Sequence, residues 1–267
     1  MVHLITQFYK VNYENVDKNL LRKRQDEITY CFKTNLNNPY VEKIHFLYEK
    51  EEDVDFLEEE GIKRDNEKIV LYNIGSRMKY NLIFEYANKH LDGEICVYLH
   101  SDMVINSGFE LLDHENTRNN VFPITSHKPN CNGQFICRCT RQFKTNRGWM
   151  GVTFDGFAFK SPIKEEAVKE LDHIVHRLGA ENRTICILKE YGYNVVCPNQ
   201  ILRCTHLHNV KIFAKQHASW VNREGEVKPQ DYYSKIHAQQ AGLPYEKIIV
   251  AGGLPFFMGS CDFVDRL

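Results

Sequence analysis

The sequence predicts an α/β protein with a mostly parallel central sheet flanked by helices and a less regular second half. Two observations carry this. Over the first hundred residues short apolar runs alternate with amphipathic stretches, in the order strand, helix, strand, strand, helix, strand. The last run, ICVYL, is continuously apolar, as in strands covered on both faces. The 267 residues are 43% hydrophobic and 26% charged, which is globular usage and long enough for a substantial core.

Each element has its own signal. Residues 3–9 (HLITQFY) suit a buried strand. Residues 18–36 place Leu20, Leu21, Ile28, Cys31, Phe32 and Leu36 at mostly helical spacing, and Pro39 stops the helix. Residues 41–48 and 68–74 read as strands. Between them EKEEDVDFLEEE carries eight acids in twelve residues and reads as a solvated connector or short helix. A helix over 80–91 ends in the turn Asp92-Gly93, and a strand follows at 95–100. Later come a strand over 120–126, at an edge because of Pro123, and a long loop over 127–150. A strand over 152–159, helices over 163–178 and 181–191, a C′ glycine at Gly192 and a strand over 193–197 complete this part. One more helix fits 230–241. The tail 245–267 reads as a docking arm or as the point where a longer polypeptide continues.

Lys+Arg total 34 and Asp+Glu 35, a formal charge of −1, so nothing draws the whole chain to nucleic acid or anionic lipid. No apolar run approaches the ~20 residues of a membrane span. The N-terminus lacks the basic and apolar regions of a secretory signal. Nine cysteines without paired spacings fit free thiols in a reducing, cytoplasmic setting. His127, Cys131, Cys137 and Cys139 resemble a metal cluster only loosely, because C-x5-C-x-C is not a usual zinc spacing; they read as thiols in a long loop. Dinucleotide, P-loop, nucleophile-elbow and zincin motifs are absent from the sequence.

In an open parallel sheet ligands bind beyond the carboxyl ends of the strands. There the sequence offers Tyr9 as an aromatic face, Glu49 for ribose hydroxyls, Arg77 and Lys79 for phosphates, and Ser101 and Asp102, the latter a carboxylate for a divalent metal. This inventory suits a nucleotide diphosphate with a bound cation. Asp102 follows an apolar strand, where a carboxylate calls for a partner such as a metal ion. Glu181 lies near a helix N-terminus, whose dipole favours an ionised carboxylate able to act as a general base. His206 and His208 alternate and so share one face of an extended segment, where imidazoles can complete a metal shell.

The order of a strand ending in His-Ser-Asp-Met, a later Asp-Gly-Phe-Ala-Phe strand, then Glu-Asn-Arg opening a helix, Gly-Tyr and a C-terminal His resembles the glycosyltransferases of GT-A fold, in particular the group with an Asn-Ser-Asp-Ile core motif. The opening segments 4–10, 22–36 and 44–49 fit the same group, and the resemblance spans about residues 3–215. It implies a GT-A-like, Rossmann-type fold with a nucleotide-sugar half over about 1–105 and an acceptor half over about 106–215. Residues 216–267 would add a C-terminal helix and tail. It also implies an inverting, metal-assisted transfer from a UDP- or GDP-sugar to a glycan hydroxyl. Of the family's D-x-D only the last acid remains, Asp102, which would bind Mn2+ or Mg2+ with His208, or alternatively His206. Glu181 takes the place of the base, and Asp155 falls near the acceptor as the second choice for that role. The cations Arg138, Arg141, Lys144 and Arg147 would let the 127–150 loop close over the phosphates. Such a chain would stand alone or as one module of a larger glycan-building protein. Two rival readings are a catalytically degenerate nucleotide- or carbohydrate-binding module and a sugar nucleotidyltransferase; the latter lacks its early Gly-rich loop, since residues 6–12 read TQFYKVN.

Overall fold

The computed structural model describes residues 1–13, 16–129, 135–137, 154–175, 180–198 and 201–210. Strands β1 (Val2–Thr6), β2 (Val41–Tyr48), β3 (Ile69–Asn73) and β4 (Ile95–Leu99) form the parallel part of a central sheet. Helices α1 (Lys18–Leu36), α2 (Glu51–Glu59) and α3 (Tyr80–His90) connect them. Two further strands, β5 (Met103–Ser107) and β6 (Asn120–Ile124), follow, with a 3-10 turn at Phe109–Leu111 between them. The chain then continues through β7 (Ser126–Pro129), β8 (Phe135–Cys137), β9 (Gly156–Lys160), α4 (Glu165–Glu170), α5 (Ala180–Glu190), β10 (Asn194–Val195) and β11 (Arg203–His206). The seven-stranded sheet has the order β10-β6-β9-β4-β1-β2-β3, and a four-stranded sheet has the order β5-β11-β7-β8.

Side-chain alternation divides the core into two layers. Ile5, Cys96, Tyr98, Phe157 and Phe159 face α3, α4 and α5, where they meet Tyr80, Ile83, Phe84, Ala167, Ile185 and Leu188. Leu4, Phe46, Val97, Leu99 and Ala158 face the other way, onto Ile28, Phe32 and Leu57 of α1 and α2 and onto Met103 and Ile105 of β5. This is the expected mixed α/β architecture, with helices on both faces of a mostly parallel sheet. Among the described residues no helix is long and apolar enough to cross a membrane.

Of the two readings of the acidic stretch the structure takes the short helix, α2, begun by Glu51, Glu52 and Asp53, with Asp53 accepting the Glu49 and Lys50 amides at 3.2 Å. Several other elements depart from the sequence reading. The helix expected over 163–178 stops at Glu170, because Leu171 and His173 turn their carbonyls onto the Asn81 and Tyr80 amides at 3.0 Å. The strand expected over 120–126 divides at Thr125 into β6 and β7, which serve different sheets, and β6 is not the edge that Pro123 suggested: it lies between β9 and the two-residue β10, which pairs only Asn120 and Val121 and stops short of Pro123. Part of the expected 127–150 loop is strand, since His127 pairs with Cys137 across β7 and β8. Strands β5 and β11 were not anticipated. Cys131, Cys139, the four loop cations, the 230–241 helix and the tail lie outside the described residues.

Gly156 opens β9 where β9 runs antiparallel against β4, and a Cβ there would sit 2.1 Å from the Tyr98 carbonyl oxygen. Only glycine allows that approach, which brings the preceding residue, Asp155, to the carboxyl end of β4: its carbonyl accepts the His100 amide at 3.0 Å.

Candidate functional site

Three segments distant in sequence meet at the carboxyl end of β4. Asp102 lies in the turn from β4 to β5, and β5 pairs antiparallel with β11 so that Met103 faces His206. The Leu207 amide adds a 2.9 Å bond to the Asp102 carbonyl. This register brings His206 Nε2 to 2.8 Å and His208 Nδ1 to 3.7 Å from Asp102 Oδ2. The ligand atoms of Asp102, His206 and His208 all lie within 4.8 Å of one another. The other ring nitrogen of His206 lies 3.8 Å from Asp155 Oδ1. Asp155 enters from β9 and is buried.

Glu181 sits in the first turn of α5. Its Oε1 accepts from the Tyr80 hydroxyl at 3.3 Å and lies 3.8 Å from His100 Nε2. Tyr80 itself is fully buried, its ring edge-on to Tyr98 and Phe157. Tyr9 and Ser101 border Asp102: the Tyr9 phenol pairs with the Ser101 side chain, and burial, followed by the Asp102 charge, raises its pKa. Glu49 follows β2, where its Oε1 accepts from Gln7 Nε2 at 3.3 Å and from the Met78 amide at 3.1 Å. Arg77 is exposed. Lys79 is committed to Asp172, with Nζ 2.5 Å from Oδ1, and bridges Ile174. Asp102, His206, His208 and Asp155 thus form one cluster, bordered by Tyr9 and Ser101. Glu181 joins it through the electrostatic reach of Asp155. Arg77 is exposed and Lys79 is turned to Asp172, so neither belongs to it.

Electrostatics separate the acids. Burial pushes the Asp102 carboxyl upward, but His206, His208 and Arg24 outweigh it and hold the group well below the usual carboxylate range. Glu181 goes the other way. Burial raises it to about 8; its own amide and the Tyr80 hydroxyl pull it down, while the Asp155 charge pushes it up. The ionised carboxylate expected from the helix dipole is therefore replaced, near neutral pH, by a mostly protonated one. Desolvation of a buried carboxyl exceeds the fractional charge of a helix end.

Arg24 was missed. It stands in α1 with 4% exposure, and its guanidinium hydrogen-bonds Asp102 Oδ2. The signal was its place in the stripe Arg24, Ile28, Cys31 and Asn35, all buried. Tyr80 and His100 were also left without roles beside Glu181.

One ionised carboxylate and two imidazoles suit a divalent transition ion, and imidazole favours Mn2+ over Mg2+. Asp102, His206 and His208 would be its ligands. The half-buried Glu181 carboxyl beside His100, with its raised pKa, is a group that can exchange a proton near neutral pH.

A scan against protein families finds no match, and no curated protein matches the chain by sequence. Solved structures do match in shape. The 2-C-methyl-D-erythritol 4-phosphate cytidylyltransferase of Francisella tularensis is 11% identical, with 82% of this chain and 99% of that chain covered and a TM-score of 0.45. A mannosyltransferase from Pyrobaculum calidifontis, in complex with GDP-Man and Mn2+, is 15% identical over 94% of this chain and 72% of that one, with a TM-score of 0.47. The 4-diphosphocytidyl-2C-methyl-D-erythritol synthase of Anaerococcus prevotii is 11% identical over 82% and 96%, with a TM-score of 0.43. All three stay below a TM-score of 0.5, and none informs what this chain binds or transforms.

Proposed function

We propose that the protein is a GT-A-like glycosyltransferase that moves a sugar from a UDP- or GDP-sugar to a hydroxyl of a glycan acceptor, with inversion. The observation that carries this reading is the convergence of Asp102, His206 and His208 within 4.8 Å, beside two further carboxyls, Asp155 and Glu181. When bound there, Mn2+ or Mg2+ would supply positive charge against the departing diphosphate. Asp102, held ionised, and the two imidazoles hold that ion. Tyr9, Glu49 and Ser101 serve the nucleotide side at the strand ends, with the exposed Arg77 further out as a phosphate cation, while Lys79 is held by Asp172. Glu181 takes the acceptor proton, and Asp155 orients the acceptor. A carboxylate with a pKa near 8 is a stronger base than an ordinary one, at the expense of being charged in fewer molecules at neutral pH. The extended resemblance over residues 3–215 supports a single domain with nucleotide-sugar and acceptor halves. Cys31, Cys96 and Cys204 are buried free thiols, which supports a reducing compartment such as the cytoplasm.

The experiment is a Mn2+ titration of the chain followed by turnover assays with a panel of nucleotide sugars and glycan acceptors. Asp102→Ala and His208→Ala are expected to remove cation-dependent donor binding. Glu181→Gln is expected to keep binding and lose turnover. Cation-dependent binding of UDP or GDP without transfer to any acceptor favours a binding module, and release of pyrophosphate from a nucleoside triphosphate and a sugar phosphate favours a nucleotidyltransferase.

A further inference from the structure

We infer that Arg24 and Glu27 on α1 form a brace that holds the two halves of the Asp102–His206–His208 centre in register, so that they are positioning residues for its cation. This rests on the cation site proposed above and adds the residues that shape it.

The geometry is that of a two-sided clamp. One arm of the Arg24 guanidinium hydrogen-bonds Asp102 Oδ2. The other, Nη1, donates at 2.6 Å to the carbonyl of Leu207, the residue between the two histidines. The same Nη1 lies 2.7 Å from Glu27 Oε2. Glu27 then turns its second oxygen to the chain beyond His208: Oε1 accepts the Asn209 amide at 2.8 Å and the Val210 amide at 3.2 Å. A single turn of helix therefore grips the carboxylate, the peptide between the imidazoles and the peptides that follow them.

Charge decides the sign of the effect. A lone buried guanidinium beside a cation site would repel the ion. Glu27 offsets it, so the pair is neutral as a unit and contributes direction more than charge. The planar fork matters, because a lysine ammonium keeps the charge but presents it as a single point on a flexible stem. Outer partners of metal ligands commonly change metal affinity about 10–100-fold when removed.

The test uses the full chain, with Mn2+ affinity read from the EPR signal of free Mn2+ and amide exchange followed at Asn209 and Val210. Arg24→Lys and Glu27→Gln are each expected to weaken Mn2+ binding by about 10–100-fold, with melting temperature and overall fold close to the wild type. Glu27→Gln is also expected to speed exchange at both amides. The double variant Arg24→Gln/Glu27→Gln, again neutral as a unit, is expected to lose Mn2+ affinity as well; tighter binding in it would show Arg24 to be a competitor for Asp102 and overturn the brace. Affinity unchanged in Arg24→Lys would overturn it too. If the wild-type chain binds no Mn2+, the cation reading fails on its own, and the brace is then judged by exchange: faster exchange in Glu27→Gln upholds it and unchanged exchange overturns it.

Discussion

Glu181→Gln should abolish a loss of stability that the wild type suffers as pH rises. Burial moves the Glu181 carboxyl from its ordinary 4.5 up to about 8. Over that window the native chain holds a proton that the unfolded chain has released. Native-state proton excess means that stability falls with pH, by about 1.4 kcal/mol per unit for one group. From about pH 6 to about pH 8, allowing for partial release near the upper end, the loss is roughly 2 kcal/mol. Glutamine keeps the size and polarity of the side chain and has no proton to lose. Urea unfolding of both chains at about pH 6, 7 and 8, with a chelator present, gives the stability difference at each pH. That difference is expected to widen by roughly 2 kcal/mol in favour of the variant. His45 and His173, which burial lowers to about 3 and about 4, titrate alike in both chains and cancel. A difference that stays constant with pH would show that Glu181 is not desolvated, and the account of its proton would be wrong.

Three further outcomes follow from particular contacts. Tyr80→Phe removes a hydroxyl that stabilises the Glu181 carboxylate, so the rise of kcat/KM with pH should move to higher pH; an unmoved profile would separate Tyr80 from the base. Gly156→Ala places a methyl 2.1 Å from the Tyr98 carbonyl, forcing β9 off β4 at a cost of about 1–3 kcal/mol, checked by urea unfolding. Adding Mn2+ should raise the melting temperature of the wild type and leave that of Asp102→Asn in place, because the latter offers an amide where the ion needs an ionised ligand; equal shifts in both would move the ion elsewhere.

The parts of the structure legible in the sequence are those specified locally. Continuous apolar runs and helical stripes marked β1 to β4, α1 and α3, and the strand-end rule led to Asp102. The alternation of His206 and His208 was also readable, since both imidazoles approach the same carboxylate oxygen. Strands β5 and β11 were not readable. Their sequences, MVINS and RCTH, mix apolar and polar residues, and they become strands by pairing with each other. The ionisation of Glu181 depended on burial by Tyr80 and its neighbours, which no local pattern records. The direction of Lys79 was equally hidden, because Asp172, its partner, comes 93 residues later.

The span of the Arg24 contact with Leu207, 183 residues, has a consequence for biosynthesis. All seven strands of the larger sheet have left the ribosome once Val195 emerges, yet β11 and the histidines have not. A nascent chain can thus assemble its main sheet before the histidines reach Asp102, and the cluster of Asp102, His206 and His208 closes only with the final dozen or so described residues.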